Sequence, residues 1–325
     1  MPITDVHQDP EALTLTIVGE CAASRTRLWE AWLDPRQLEQ FWGPPTWPAT
    51  FIRHETFPGG RSDYFMTGPD GSRAHGYWEF LSVDAGRAFE IIEGFAHEDG
   101  TVNDSLPHTR ITVTFADLDA GSSFTAVSHF ATLADLEQLV AMGTPEGMTQ
   151  ALGQMDTVLA DLSSFAADRT VAAQILSDTQ VRVSRVIRGT VDQVWRAHHE
   201  PELLKRWMLG PDGWRMTVCE VATAVGESYR YEWESDDGAP GFGFTGELVS
   251  AQAPYREVTT EAMIGMAGEP VRNDLTLSAV DGGTLLIQVI TYPSAEVRDM
   301  VLATGMTDGM ETSYQRLERE VLAAV

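Results

Sequence analysis

The sequence predicts two tandem α+β domains. Each is expected to hold an antiparallel sheet of about seven strands, two short helices after the first strand, and a long C-terminal helix. Three observations lead there: a long internal repeat, period-two alternation in the strand-like runs, and an amphipathic stretch closing each copy. The repeat shows in "DPRQLEQFWGP" from Asp34 and "EPELLKRWMLGP" from Glu200. At a shift of 166 positions, Leu28, Trp29, Ala31 and Pro35 fall on Val194, Trp195, Ala197 and Pro201, and Phe41 falls on Trp207. A period this long marks a duplicated domain rather than a solenoid.

Each copy opens on a strand, "ALTLTIVGE" or "QVRVSRVIRG", with apolar residues at every second position. A helix follows, and in the second copy Thr190 and Gln193 have capping-box spacing. Pro35 and Pro201 interrupt that helix, because proline lacks the amide donor and clashes with the preceding turn. The second short helix of each pair stops at Gly43-Pro44 or Gly210-Pro211. Six strand-like runs come next, divided by turn signals such as "PGG" at Pro58 and "DGG" at Asp281. The closing helix steps by four and three through Met148, Leu152, Met155, Leu159 and Leu162, and again through Met310, Tyr314, Leu317, Val321 and Ala324. Domains are therefore expected over 1–163 and 179–325, with a partly helical linker at 164–178.

Composition narrows the function classes. With 325 residues and 43% hydrophobic content the chain can bury two cores. A formal charge of -26 argues against nucleic acid, since no basic stripe is present to neutralise phosphates. No apolar run approaches the length of a membrane span, and the start is polar and acidic, so a cytoplasmic address is expected. Cys21 and Cys219 have no metal or redox spacing and are read as buried free thiols. Lys205 is the only lysine among 22 basic residues. That arginine bias suits a GC-rich, actinobacterium-like genome and brings natural-product chemistry into view.

The order of elements, together with Trp29, "FPGGRSDY" at Phe57 and "EGMTQAL" at Glu146, resembles the SRPBCC (START-like, helix-grip) superfamily. In the second copy Trp195, "VGESYRY" at Val225 and "DGMETSY" at Asp308 carry the same likeness. The branch is that of the C-terminal domain of the heat-shock-protein ATPase activator and of polyketide cyclases. There is also some similarity to actinobacterial enediyne self-resistance proteins. Many relatives place tryptophan after the glycine of the final helix, where this chain has Met148 and Met310. The resemblance implies a curved sheet wrapped on the long helix, with a cavity between them for an apolar ligand.

Repeat equivalence then selects residues for that cavity. In the third strand, Ser62, Tyr64 and Met66 share the phase of Tyr229, Tyr231 and Trp233, leaving Asp63 and Arg230 outside. Trp78 and Phe244 belong to the next strand, where His75 and Glu79 point outward. Trp42, Trp47, Trp207 and Trp214 sit at or just after the short helices, where the family's cavity opens. Trp32 on the first helix and Met148, Leu152, Met310 and Tyr314 on the last complete the walls, with Met263 among the methionines able to give a pliable lining. Trp29 and Trp195 read as core. The aromatic third strand makes the second copy the better-formed site.

No GxSxG, HExxH, P-loop or dinucleotide motif is present, and no metal or cofactor is implied. Glu261, His108 and His129 are the candidate acid/base residues, while His198 and His199 read as surface or helix-end residues. Whether His129 or Gln288 faces inward is open. Two functions compete: a protein that binds a polyketide-like or enediyne-type molecule for sequestration, transport or self-resistance, and a polyketide aromatase/cyclase or related hydro-lyase. Regulation of a chaperone ATPase is a third, resting on the branch name alone.

Overall fold

The alternation in Thr14–Cys21 becomes strand β2, where Leu15 and Ile17 are buried and their neighbours are not. In this computed structural model residues 3–160, 170–210 and 213–323 are described. Leu162, Pro211, Ala324 and linker residues 164–169 lie outside them. The chain divides into two compact units, Met1–Ser163 and Ser164–Val325.

In the first unit β1 (Ile3–Asp9) and β2 precede α1 (Arg25–Leu33) and α2 (Pro35–Leu38), with Pro35 opening α2 as expected. Six strands follow: β3 (Ala49–His54), β4 (Arg61–Thr67), β5 (Arg73–Asp84), β6 (Ala88–Ala96), β7 (Thr109–Leu118) and β8 (Gly121–His129). Helices α3 (Leu133–Ala141), α4 (Thr144–Leu152) and α5 (Met155–Ala160) close the unit.

The second unit repeats this with β9 (Ala172–Ile175), β10 (Gln180–Ile187), α6 (Val191–His199) and α7 (Pro201–Trp207). Its six strands are β11 (Trp214–Glu220), β12 (Ser228–Ser235), β13 (Phe242–Gln252), β14 (Arg256–Met263), β15 (Val271–Val280) and β16 (Gly283–Thr291). Helices α8 (Ala295–Leu302) and α9 (Met306–Leu317) follow, and a π-helical turn continues α9 through Leu322. The capping box forms as expected: Gln193 N donates to Thr190 Oγ1 at 3.2 Å and Thr190 N to Gln193 Oε1 at 2.8 Å.

Both sheets are antiparallel and share one order, β1-β2-β8-β7-β6-β5-β4-β3 and β9-β10-β16-β15-β14-β13-β12-β11. The eighth strand of each is an edge strand without an apolar alternation, so nothing in its sequence marked it. In the second unit it replaces part of the predicted helical linker: Ala172–Ile175 pairs with β10 and is exposed throughout. The closing helix also differs from expectation. In the first unit it breaks at Gly153 and Gln154, where Gln154 Nε2 donates to the Gly43 carbonyl at 2.9 Å, and α3 and α8 precede it. Glycine is a weak helix former, and the break falls where one caps α4.

In the second unit the closing helix is stapled to the sheet. Arg185 of β10, its side chain 4% exposed, donates to Glu311 at 3.1 Å and Glu318 at 2.8 Å, and its guanidinium lies over the Tyr314 ring. Such charge-assisted bonds fix orientation as well as adding attraction.

Candidate functional site

The inner face of the second sheet follows from the register of β14 on β15. Glu257 lies across from Leu275, Thr259 from Asn273 and Glu261 from Val271. Directly paired residues share a face, and Leu275 belongs to the buried core, so Glu257, Thr259 and Glu261 face inward. Gln288 lies across from both Val183 and Leu275 and is inward too. His129 ends β8 in solvent, and His108 is exposed in the loop before β7, so neither takes part.

Glu257 meets the end of α6. His199 Nε2 is 2.9 Å from Glu257 Oε2, its Nδ1 is 2.8 Å from the Trp195 carbonyl, and its ring stacks on the Trp195 indole at 3.9 Å. Both ring nitrogens therefore face acceptors, an arrangement only imidazolium satisfies. Burial opposes the charge, but the carboxylate and the carbonyl outweigh it and raise the pKa above that of a free histidine. His198 is the opposite case. Its Nδ1 donates to the Val194 carbonyl at 2.8 Å, its ring packs against Trp207 and Tyr314, and burial lowers its pKa. Its Nε2 is buried with no partner among the described residues. The pair does stand at the end of a helix, but both rings are half-buried, and their pKa values are pushed in opposite directions. Trp195, expected in the core, is half-exposed and serves as the platform for His199.

Glu261 is the second inward carboxyl. The Tyr229 phenol lies 2.9 Å from the Thr260 carbonyl and 3.3 Å from Glu261 Oε2. The one phenol hydrogen is directed at both acceptors. Burial raises the pKa of Glu261, only partly offset by the hydrogen bonds it accepts from Tyr229 and Asn273. Burial and the nearby carboxylates also hold the Tyr229 and Tyr231 phenols firmly protonated.

The first unit carries the same carboxyl at Glu93, which the sequence reading missed. Trp78 Nε1 donates to its Oε1 at 3.2 Å, Tyr64 Oη lies equally close, and burial again raises its pKa. The repeat could have found it, because the shift that maps Phe80 onto Leu248 maps Glu93 onto Glu261.

Around these twin acids the two inner faces diverge. Phe89, Ile91, Ile111, Ala126 and Leu33, all at most 5% exposed, stand where the second unit has Glu257, Thr259, Asn273, Gln288 and His199. Across β4 and β5 a small residue faces a large one, Ser62 against Trp78; across β12 and β13 the sizes exchange, Tyr229 against Gly246. A Cβ on Gly246 would come within 2.7 Å of the Tyr229 ring and closer still to the Thr260 carbonyl, so only glycine fits.

The predicted wall residues divide accordingly. In the first unit Trp32, Trp42, Tyr64, Trp78 and Leu152 are packed into one aromatic core, with Trp42 and Trp78 edge-to-face at 4.7 Å; Trp47, Met66 and Met148 are half-buried. In the second unit Tyr231, Phe244, Trp214 and Met310 keep partial exposure beside buried Tyr229 and Trp233. Trp207 and Tyr314 stack at 5.7 Å around His198, and the Trp207 indole donates to the Ala197 carbonyl, a core arrangement that ties α7 to α6. Met263 is 39% exposed and Met266 65%, so neither closes over an apolar interior. Cys21 is buried and Cys219 half-buried, both as free thiols. An open surface depression of about 680 Å³ lies elsewhere, lined by Arg188, Thr190, Gln193, Pro254, Tyr255 and Val280, and includes none of the predicted wall residues. No helix among the described residues is long and apolar enough to cross a membrane.

The profile of the family described as "Activator of Hsp90 ATPase homolog 1-like protein" matches the chain twice, over residues 22–160 and 188–321. The chain belongs to this family. It is a tandem member of the helix-grip superfamily, with one copy in each unit. Among solved structures, a protein from Arthrobacter aurescens is 43% identical over 49% of this chain and 93% of its own, with a TM-score of 0.48. Ms6760 from Mycobacterium smegmatis is 46% identical over 49% of this chain and 98% of its own, with a TM-score of 0.47. DynU16, from the dynemicin biosynthetic locus, spans 94% of this chain and 98% of its own at 13% identity and a TM-score of 0.34. No curated protein matches the chain.

Proposed function

We propose that this tandem Activator of Hsp90 ATPase homolog 1-like protein binds an apolar, polar-tipped small molecule against the inner face of its second sheet. One observation carries the reading: that face keeps half-exposed Tyr231, Phe244 and Trp195 beside inward polar groups, whereas the matching positions of the first unit, Tyr64, Gly76 and Trp29, are buried. Aromatic walls with a few convergent polar groups are the usual make-up of small-molecule sites. The ligand class is a polycyclic, polyketide-like or enediyne-type natural product, held for sequestration, transport or self-resistance. The first unit then serves as a filled scaffold rather than a second site.

The enzyme reading, an aromatase/cyclase or hydro-lyase, draws on the acid form of Glu261, which could supply a proton to a bound carbonyl or hydroxyl group. One experiment separates the two. The protein is titrated with aromatic polyketides and enediyne-like molecules while tryptophan fluorescence is followed, and the mixture is then examined by mass spectrometry. Quenching with ligand and protein recovered intact is the expected result. Altered ligand establishes catalysis, modified protein establishes sacrificial resistance, and absence of quenching across the panel overturns the binding proposal.

A further inference from the structure

We infer that the second-unit site selects apolar molecules bearing an amine, with Glu261 as the anion that receives the ammonium group and the aromatic row that starts at Tyr229 as the wall beside it. This deepens the proposed function and rests on it.

Three observations lead to a cationic head group. Among the described residues no arginine, lysine or histidine pairs with Glu261, whereas the other inward carboxylate, Glu257, is already matched by His199. The Tyr229 hydroxyl touches Glu261 at 3.3 Å, and an aromatic row begins at that residue. Tyr229 and Tyr231 lie 5.1 Å apart, and Tyr231 leads on to Trp233, which stacks on Phe242 at 5.0 Å and meets Phe244 edge-on at 6.0 Å. Aromatic faces attract cations, most strongly where water is thinned out. The formal charge of -26 adds a long-range field that draws cations toward the chain.

The chemistry follows from a half-buried carboxyl with no cation beside it among the described residues: in the free protein burial favours the acid form of Glu261. An arriving ammonium ion favours the carboxylate, so the carboxyl proton leaves to solvent as the ion pair forms. The amine enters already protonated, so the carboxyl O–H is the one bond broken and its proton passes to water. The groups facing Glu261 are Tyr229 and Tyr231 of β12, Asn273 of β15 and Tyr292 just after β16, with Glu257 on its own strand. The phenols stay neutral across the working range and Glu257 is held by His199, so Glu261 is the group whose proton is exchanged. A neutral alcohol of the same shape has no reason to displace that proton.

The test uses the full chain and two probes of one shape, 1-naphthylmethylamine and 1-naphthalenemethanol, titrated calorimetrically from about pH 5 to pH 8 in buffers of different ionisation enthalpy. The amine is expected to bind at least about tenfold tighter than the alcohol at the alkaline end, and to release a proton on binding at pH values below the Glu261 titration. Its affinity should fall about tenfold per pH unit below the Glu261 titration, while that of the alcohol stays flat. Glu261→Gln should remove both the pH dependence and the preference but keep alcohol binding. Glu93→Gln, the matching change in the packed unit, should leave all of it intact and so separates a local effect from general loss of folding. Equal, pH-independent binding of both probes overturns the amine inference and leaves the binding site standing. Binding of neither overturns both. Amine preference that survives Glu261→Gln assigns it to surface charge and overturns the role given to Glu261.

Discussion

Glu257 occupies in the second sheet the place that Phe89 occupies in the first: Phe89 lies across from Val113, and Glu257 across from Leu275. Phe89 is 1% exposed and packs against Trp29, Trp32, Phe80 and Phe115, whereas Glu257 reaches His199 at 2.9 Å. One duplicated backbone thus carries a filled interior and a polar, partly open one. The first unit supplies a template for closing the second.

Copying that template gives the first prediction. The double variant His199→Leu with Glu257→Phe should bind no aromatic ligand. It should also unfold later by about 1 kcal/mol or more, since apolar replacement of a buried ion pair is commonly neutral or stabilising. Paired ligand titration and thermal melts check this. A variant that melts higher yet binds normally places the ligand elsewhere.

The two neighbouring histidines make stability fall at both ends of the neutral range. His199 has a raised folded pKa, so its contribution is complete below the unfolded value of about 6.5 and is lost as pH rises through the folded value. His198 has a lowered folded pKa, so its contribution is present above about 6.5 and is lost as pH falls through the folded value. Melting temperature against pH should peak near neutrality. His199→Gln should flatten the alkaline side only, and His198→Gln the acid side only.

In the first unit Trp78→Ala should cost about 3–5 kcal/mol, the range for removing a large side chain from a core that cannot collapse. The indole is 0% exposed and also donates to Glu93, so the change opens a void and strips a buried acid of a partner. Phe244→Ala in the second unit removes a half-exposed ring and should cost less than half as much in the same denaturant titration.

Arg185→Ala should cost about 3 kcal/mol by leaving Glu311 and Glu318 facing one another without their cation. Arg185→Lys should recover only part, because the ammonium is a compact point charge on a flexible stem and lacks the planar guanidinium fork that spans both carboxylates. Denaturant unfolding of the three proteins measures both statements.

The fold was legible where residue patterns repeat. Period-two strands, Pro35 and Pro201, and the Thr190 cap each act locally and were read at their true positions. The edge strands β1 and β9 were not legible, because they are exposed and carry no apolar alternation. At the site, the inward phase of Tyr229, Tyr231 and Trp233 follows from alternation, but the raised pKa of Glu261 depends on burial that only the folded sheet supplies. The His199–Glu257 pair joins a helix end to a strand 58 positions away, a meeting that only the folded register brings about.

Strand β9 has a practical consequence for cutting the protein apart. It covers the backbone donors and acceptors along one side of β10, and it begins seven residues before the second domain as drawn from the sequence, at Ala172 rather than 179. A fragment starting at 179 would bare that side of β10 and invite neighbouring chains to pair with it, giving gels and fibres rather than a monodisperse sample. A fragment starting at Thr170 keeps the strand and should stay dispersed, which makes nine residues the difference between a usable half-protein and an aggregate.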